Sequence, residues 1–440
     1  MTRSQGDRGR APIQRVAMLS VHTCPLATLG GKETGGMNVY VRDLSRELGR
    51  RGIHVDVFTR SQDPTVPYIS HALGPNGRVI HIPAGPEAPI RKEAIYAHLP
   101  EFTRCVADFA ARQGLRYDII HSHYWLSGCV AQQLREIWHV PFIQMFHTLG
   151  HMKNRVALRP EEYESDLRIA VETDVVCQAD VLIAATPAEK AQLMWLDGAD
   201  PERITIIPPG VDVTHFRPLP RAEARARIGV LPEDAMLLFV GRIDPLKGID
   251  TLLQAVARIV GQSSDRRLRL CLVIIGGNLG PGGVTENEEM ARLLALRQEL
   301  GIGDVVTFLG AKDQDTLPDY YTAADIVIVP SHYESFGLVA LEAMACGTPV
   351  IASEVGGLAY LVKNGQTGFH VPYRDPQALA DKIMLLLSEP KLRQRLGRQA
   401  VAYAQSYAWP HIADQIVEVY RRLLAMPVAS PLLKEPCGAA

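Results

Sequence analysis

Short apolar runs alternate with longer stretches of helical periodicity along most of the chain. Residues 236–240 and 325–330 are runs of the first kind, bounded by glycine, proline or polar residues. Such runs are typical of strands that are buried on both faces of a parallel sheet. Between the runs, apolar residues recur three or four positions apart, as in the stretch that holds Leu44 and Leu48. The alternation predicts a doubly wound α/β fold.

The pattern divides into two series at Pro208-Pro209-Gly210, which follows the apolar run 204–207. Because Pro-Pro-Gly interrupts regular structure, we expect a hinge here between two Rossmann-like domains. An amphipathic helix near the C-terminus is placed to cross back onto the first domain. The predicted segments are a disordered leader (1–14), an N-terminal domain (15–207), a C-terminal domain (208–410), a crossover helix (411–427) and a tail (428–440).

Composition narrows the class of protein without identifying it. The 440 residues are 47% hydrophobic, and their formal net charge of −2 gives no basic footprint for nucleic acid. No apolar run is long enough to span a bilayer, and residues 1–12 lack the apolar stretch of a secretory signal. The seven cysteines form no C-x-x-C pair, so we expect reduced thiols in a cytoplasmic protein.

Two glutamates flank a strand-to-helix transition in the second series. Glu334 follows the run 325–330, and Glu342 lies two helical turns further along. A carboxylate can accept two hydroxyl hydrogen bonds, and the backbone N–H groups at a helix N-terminus suit phosphates. The alternative is a capping glutamate and a solvated one. The surrounding strand, Phe-Gly pair, helix and Gly-Thr-Pro favour a site for a ligand rich in hydroxyl groups.

Two loops at strand ends carry features that suit a diphosphate. Gly35-Gly36 opens the first helix and permits close approach of a phosphate, although a plain turn explains it equally well. Arg242 and Lys247 follow the run 236–240, where two cations would match a diphosphate. A solvated basic loop is the alternative for that pair.

Histidines also follow the predicted strands, at the edge where open α/β sheets bind ligands. The residues are His22, His121, His123 and His147, with Thr148 beside the last. Structural histidines and a metal site are the alternatives. No H-E-x-x-H or neighbouring carboxylate accompanies the histidines, so we predict no metal.

Together these motifs resemble the retaining GT-B glycosyltransferases of the family 4 type, across nearly the whole chain. Two branches are similar. The D-inositol 3-phosphate glycosyltransferases share the pattern Gly35-Gly36-Met37-Asn38 and the stretch 121–128. The bacterial sucrose-phosphate synthases share Asp244-Pro245 with Lys247-Gly248, and the stretch 38–42.

The resemblance implies two Rossmann-like domains that face a cleft. The implied reaction moves a hexosyl group, glucose or N-acetylglucosamine, from a nucleotide diphosphate sugar such as UDP-glucose to a phosphorylated polyol or sugar such as inositol 3-phosphate. The nucleotide sugar is a co-substrate, no cofactor is required, and a homodimer is left open. The alternatives are transfer to fructose 6-phosphate or fructose, as in sucrose-phosphate synthase or sucrose synthase, and a non-catalytic nucleotide-sugar binding protein.

The resemblance also implies roles for single residues. The catalytic residues would be His147, Arg242, Lys247 and Glu334. The donor would be bound by Gly36, Arg242, Lys247, Gly276, Thr307, Glu334 and Glu342. The acceptor would be bound by His22, Asn38, Lys92, Tyr124, Thr148 and Arg168. Four of this last set (Lys92, Tyr124, Thr148 and Arg168) come from distant segments, yet each can donate to a phosphate, so we expect a phosphorylated acceptor.

Overall fold

The structure of the protein is a computed structural model. It describes residues 13–27, 34–157, 159–262, 269–277 and 288–425, without the side chain of Glu161. The chain forms two compact units: the first comprises Met1–Ala27, Met37–Ile207 and Trp409–Ala440, and the second comprises Thr28–Gly36 and Pro208–Ala408. The predicted tail lies outside the described residues, as does the predicted leader apart from residues 13 and 14.

An eight-stranded sheet lies at the centre of the first unit. Its strands are β1 (Arg15–Leu19), β2 (His54–Arg60), β3 (Ile69–Ser70), β4 (Gly77–Ile82), β5 (Ile119–His123), β6 (Phe142–Met145), β7 (Val181–Ala184) and β8 (Ile204–Ile206). Their order across the sheet is β3-β4-β2-β1-β5-β6-β7-β8. All neighbours are parallel except β3 and β4. The strand order therefore reverses between β1 and β5, which makes this point the expected ligand crevice.

Helices cover the sheet of the first unit. They are α1 (Gly36–Arg50), α2 (Lys92–Ile95), α3 (Leu99–Arg112), α4 (Trp125–Trp138), α5 (Gly150–Val156), α6 (Asp166–Gln178) and α7 (Pro187–Leu196). In α1, the apolar positions Val41, Leu44 and Leu48 are fully buried, as their spacing predicts. Helix α6 starts at Ser165, whose side chain accepts a hydrogen bond from the Arg168 N–H.

The second unit has a smaller sheet in which all neighbouring strands are parallel. Its strands are β9 (Ala235–Val240), β10 (Leu270–Ile275), β11 (Val306–Phe308), β12 (Ile326–Val329), β13 (Val350–Ser353) and β14 (Gly368–Val371). Their order is β11-β10-β9-β12-β13-β14, so this sheet reverses between β9 and β12. β12 is buried along its whole length, as its apolar run predicts.

The helices of the second unit follow its strands in the doubly wound pattern. They are α8 (Arg221–Ile228), α9 (Ile249–Gln262), α10 (Glu288–Glu299), α11 (Leu317–Ala323), α12 (Leu338–Ala345), α13 (Leu358–Leu361), α14 (Pro376–Ser388) and α15 (Pro390–Ala404). Each unit thus combines a mainly parallel sheet with helices, and the predicted pair of Rossmann-like folds is confirmed.

The last helix, α16 (Trp409–Ala425), belongs to the first unit although α15 belongs to the second. It starts two residues before the predicted crossover helix and ends two residues earlier. Ile412, Ile416 and Tyr420 are fully buried on one face of α16. The Tyr420 hydroxyl lies 2.8 Å from His121 Nδ1, which connects α16 to the middle of β5. Among the described residues, no helix is long and apolar enough to cross a membrane.

The cysteines differ from the expectation at one position. The free thiols among the described residues are Cys24, Cys105, Cys129, Cys271 and Cys346. Cys177, in α6, is disulfide-bonded, so the prediction that all seven are reduced is wrong there. The seventh cysteine, Cys437, lies outside the described residues.

One carboxylate joins the helices α8 and α15 to the central strands of the second unit. Asp325 Oδ2 accepts hydrogen bonds from Arg225 Nη2 and from the Met236 N–H, both at 2.9 Å. Its Oδ1 pairs with Arg221 at 2.6 Å and with Arg393 at 3.2 Å. The side chains of Asp325 and Arg225 are only 7% and 6% exposed. Removal of the negative charge would leave a buried guanidinium without its counter-ion.

We therefore expect Asp325→Asn to lower the free energy of unfolding of the second unit by about 3–5 kcal/mol. Urea unfolding followed by circular dichroism measures the change. The matched control is Asp319→Asn, because Asp319 pairs at 2.9 Å with Arg227, which is 54% exposed. That variant should lose about 1 kcal/mol or less. Equal losses in the two variants would contradict the role given to Asp325.

Candidate active site

At the switch point of the second unit, two loops meet beyond the strand ends. The loop after β9 carries Arg242 and Lys247, and the loop after β12 carries Glu334. Lys247 Nζ donates to Glu334 Oε2 at 2.5 Å, and the His332 N–H donates to the Leu246 carbonyl at 2.8 Å. The structure thus brings together two of the residues predicted for donor binding.

Glycines permit this close approach. Gly248 has φ +65°, and a Cβ there would lie 2.1 Å from the Pro330 carbonyl oxygen. Gly276, at the end of β10, has φ +145°, and a Cβ there would lie 1.7 Å from the Gly241 oxygen. Side chains at these positions would separate the strand ends, so Gly276 holds β10 against the loop that carries Arg242.

The predicted phosphate loop also lies beside Arg242. The described residues Thr34, Gly35 and Gly36 group with the second unit. A Cβ on Gly35 would be 3.9 Å from Arg242 Cδ and Nε, and one on Gly36 would be 3.0 Å from Leu338 Cδ1. Leu338 is the first residue of α12, so Gly35 lies close to the cation and Gly36 lies close to the helix N-terminus. The backbone N–H groups of Gly36 and of the α12 N-terminus, together with the Arg242 guanidinium, can bind an anion.

Two further residues predicted to bind the donor, Glu342 and Thr307, lie in different surroundings. Glu342, on α12, is 6% exposed, and its Oε2 accepts a hydrogen bond from the Tyr321 hydroxyl at 2.7 Å. Tyr321 is a positioning partner that sequence reasoning missed. Thr307, expected near a strand end, is the middle residue of the three-residue strand β11, in register with Val273. Gly310 is the residue level with Gly276, because the Gly276 N–H donates to its carbonyl at 2.9 Å.

At the switch point of the first unit, an arginine joins several predicted acceptor residues. The rings of His22 and Tyr124, which follow β1 and β5, have centroids 4.4 Å apart. Arg168 Nη1 donates to the Tyr124 hydroxyl at 3.0 Å. Arg168 Nη2 donates to the Thr148 carbonyl at 3.0 Å and to its hydroxyl at 3.2 Å. Four residues from four segments therefore form one cluster, as predicted.

Charged residues that sequence reasoning left out complete the cluster. Glu164 Oε1 lies 3.0 Å from Arg168 Nη1 and 3.8 Å from Lys92 Nζ, and it also accepts from Lys153 Nζ. Glu172 is fully buried and accepts from Arg168 Nε at 2.7 Å. For Glu172 the available signal was its spacing from Arg168, because residues four apart on a helix face each other, whereas Glu164 precedes α6 and gave no such signal.

Asn38 makes its amide hydrogen bonds to a neighbouring loop of the protein. It is 1% exposed, and its Nδ2 donates to Thr23 Oγ1 and to the Cys24 carbonyl, both at 2.7 Å. Both N–H groups of the amide are thereby used within the protein. Asn38 therefore shapes the loop that follows His22, and the acceptor-binding role that the resemblance implies for it stays a prediction.

The remaining histidines form a buried chain. His123 Nε2 lies 2.8 Å from Met18 Sδ, and His123 Nδ1 lies 3.0 Å from His147 Nε2. A thioether can only accept, so we assign the proton of His123 to Nε2. His123 Nδ1 then accepts from His147 Nε2–H, which fixes the tautomer of a predicted catalytic residue. Among the described residues, no group of three histidine, cysteine or acidic side chains is placed to bind a metal.

Comparison with known proteins identifies the family. The model of Glycosyltransferase Family 4 matches residues 34–215, and that of Glycosyl transferases group 1 matches residues 220–402. A D-inositol 3-phosphate glycosyltransferase of Catenulispora acidiphila is 44% identical, over 93% of this chain and 95% of the relative. One of Actinosynnema mirum is 42% identical, over 93% of this chain and 97% of the relative.

The chain belongs to glycosyltransferase family 4. A solved structure supports the fold: sucrose-phosphate synthase from Thermosynechococcus elongatus is 38% identical, with a TM-score of 0.85, over 94% of this chain and 99% of that one. Both branches indicated by the motifs are therefore among the relatives. The protein is an enzyme, so the alternative of a non-catalytic binding protein is set aside.

Burial keeps the histidines of the glycosyltransferase neutral. It lowers the pKa of His121 to about 3 and that of His147 to about 3, although His147 as a residue is only partly buried. His22 also has its pKa lowered to about 3, by burial first and then by the positive charges of Lys92 and Arg168. The pKa of His123 is lowered for the same main reason. Near neutral pH these imidazoles bind as neutral groups.

The low pKa of His121 predicts a pH effect on stability. Unfolded, its imidazole gains a proton as pH falls through about 6.5, whereas the folded enzyme resists this until about pH 3. Stability due to the neutral His121 is therefore present above pH 6.5 and is lost progressively below it. We expect His121→Gln to make the unfolding free energy of the first unit less steep between pH 6 and 4.5, by about 1.4 kcal/mol per pH unit.

Urea unfolding at several pH values measures this slope. The control is Tyr420→Phe, which removes the hydroxyl that contacts His121 but keeps the titrating imidazole. It should lower stability at every pH and leave the slope unchanged. Identical slopes for the wild type and His121→Gln would show that His121 is not held neutral.

Proposed function

We propose that the enzyme moves a hexosyl group, with retention, from UDP-glucose or UDP-N-acetylglucosamine to a hydroxyl of inositol 3-phosphate. The observation that supports a phosphorylated acceptor is the convergence of Lys92, Lys153 and Arg168 at the switch point of the first unit. The names of two relatives, at 44% and 42% identity, support inositol 3-phosphate among such acceptors.

The charge of this cluster favours an anion. Three cations face two carboxylates, Glu164 and Glu172, which leaves one net positive charge. His22 adds no charge at neutral pH. Arg168 is 2% exposed, so its guanidinium acts where little water screens it. A neutral acceptor would gain little from such a cluster, whereas a phosphate would gain charge-assisted hydrogen bonds.

For the donor, we propose that Arg242 and Lys247 bind the diphosphate, together with the N–H of Gly36. Glu342 would accept the ribose hydroxyls and Glu334 those of the hexose. Support comes from the Lys247–Glu334 contact, which lies where the strand order of the second unit reverses. The base would lie near Gly276 and, by the register of β11, near Gly310 rather than Thr307.

The proposed transfer depends more on stabilising the departing diphosphate than on a nucleophile supplied by the protein. The bond from the anomeric carbon to the diphosphate breaks, and the positive charges of Arg242 and Lys247 would stabilise the departing anion. In the first unit, Glu164 and Glu172 are both paired with Arg168, which argues against either one as a covalent nucleophile. We infer front-face attack, in which the departing phosphate oxygen takes the acceptor's hydroxyl proton.

A second acceptor, fructose 6-phosphate, is favoured by the likeness to sucrose-phosphate synthase at 38% identity. It also carries a phosphate, so the cation cluster suits both candidates. Unphosphorylated fructose, as in a sucrose synthase-like reaction, has less support for the same reason. A cytoplasmic location, a homodimer and activity without a metal stay predictions from the sequence.

A product screen tests this proposal. UDP-, ADP- and GDP-hexoses are crossed with inositol 3-phosphate, fructose 6-phosphate, fructose and glycerate 3-phosphate, in the presence of a chelator. We expect a UDP-sugar and inositol 3-phosphate to give the fastest transfer, with the anomeric configuration of the donor retained by NMR. Preference for fructose 6-phosphate would select the second candidate. Transfer to unphosphorylated fructose alone would refute the assigned phosphate site.

Lys92 provides a test of that site with little risk to folding. We expect Lys92→Gln to raise the KM for the phosphorylated acceptor roughly ten-fold, because a charged partner of the phosphate is lost. The KM for the nucleotide sugar should change less than two-fold. The matched control is Arg91→Gln, since Arg91 is the adjacent cation and is 88% exposed. Arg168→Ala should act in the same direction, and equal effects on both substrates would remove the assignment.

A further inference from the structure

A single carboxylate oxygen holds the cation cluster of the first unit together. Glu164 Oε1 lies within reach of all three cations, Lys92, Lys153 and Arg168. Its side chain is 9% exposed, so little water shares these contacts. An oxygen surrounded by two ammonium groups and a guanidinium has the surroundings of a bound phosphate oxygen.

The contacts of Arg168 show that an anionic ligand would compete with partners that the protein already supplies. A guanidinium has five N–H donors, and Arg168 has five oxygen partners within 3.2 Å, four of them in hydrogen bonds and Glu164 in an ion pair. They are Glu172 Oε1, the Tyr124 hydroxyl, Glu164 Oε1, the Thr148 carbonyl and the Thr148 hydroxyl. A phosphate oxygen that approaches Arg168 Nη1 therefore meets the Glu164 carboxylate, which lies 3.0 Å from that atom.

Among the five oxygen partners of Arg168, the Glu164 carboxylate is the one best able to move away. Glu172 is fully buried within α6, and it also accepts from the Gly150 N–H at 2.7 Å. Tyr124 directly follows β5, and Thr148 lies three residues after the end of β6. Glu164, by contrast, precedes the first residue of α6, and its backbone is held separately because its N–H donates to Asn154 Oδ1 at 2.7 Å. Its side chain can rotate while its backbone stays in place.

The carboxylate remains charged at any working pH. Burial acts to raise the pKa of Glu164, but the charges of Arg168, Lys153 and Lys92 outweigh burial and lower this pKa to about 2. Protonation therefore does not remove it from the cluster near neutral pH. Only an anion that offers the cations comparable bonds can take its place.

We propose that Glu164 is a built-in competitor: its carboxylate and the acceptor's phosphate are alternative partners of the same three cations. This inference rests on the proposed phosphate site. Displacement of Glu164 sets a threshold that a phosphate dianion can cross and a neutral sugar cannot. Glu164 is then a specificity-determining residue, and part of the phosphate's binding free energy is used to release it.

The test measures binding of inorganic phosphate alone to the full-length chain by isothermal titration calorimetry at pH 7.5. We expect Glu164→Gln to lower the dissociation constant roughly ten-fold, because the competing charge is removed while the side-chain size is kept. Glu164→Asp retracts the carboxylate and should lower the constant by a smaller factor. This second variant keeps the test valid if the first one folds poorly.

The matched control is Glu162→Gln. It removes the same charge two positions away, where Glu162 pairs with Arg159 at 2.8 Å, outside the cluster. Its phosphate affinity should equal that of the wild type. Weaker or unchanged phosphate binding in Glu164→Gln and Glu164→Asp would overturn the proposal, because Glu164 would then only position the two lysines.

This outcome is distinct from failure of the proposed function. A wild type that binds phosphate but glycosylates none of the phosphorylated acceptors would refute the function and leave the competition intact. If the function holds, Glu164→Gln should also lower the KM for inositol 3-phosphate with little change in the KM for the nucleotide sugar. A merely structural role would not separate the two substrates in this way.

Discussion

The position of the strand ends constrains the rest of the structure. In each sheet the parallel strands finish at one edge, and reversal of the strand order leaves a crevice there. His22 and Tyr124 flank the reversal in the first unit, and Lys247 and Glu334 flank it in the second. The functional side chains need no special elements of their own, because each one lies on a loop that the sheet already brings to this edge.

The fold could be predicted because its signals are local. A strand buried on both faces is an unbroken apolar run, so β9 and β12 could be located within a residue of their observed bounds. The helical periodicity of α1 was equally clear. The strand order could not be read in this way, because it depends on pairings between segments far apart in sequence. The two-residue strand β3 is too short to leave a pattern.

The candidate site could be predicted only in part, because its contacts also join segments that are far apart in the sequence. The resemblance supplied Arg168 but not Glu164 and Glu172, the two carboxylates that pair with it, since their role depends on partners that they meet only in the fold. Which residues of β11 lie level with Gly276 could not be predicted, because the register of β11 depends on its pairing with β10. Asn38 lies where expected, but its amide is used to brace the preceding loop. Motif positions thus locate a site more reliably than they assign its hydrogen bonds.

In both candidate sites, carboxylates of the protein are paired with the cations. Lys247 is paired with Glu334, and Arg168 with Glu164 and Glu172, so the positive charges are compensated within the protein. Buried cations without partners would cost several kcal/mol of stability, which explains why carboxylates accompany them. The consequence is that anion affinity is a difference between two sets of bonds, the internal pair and the pair with substrate. Because a neutral hydroxyl cannot match a carboxylate in this exchange, the proposed sites would favour charged substrates through the same pairs that stabilise the fold.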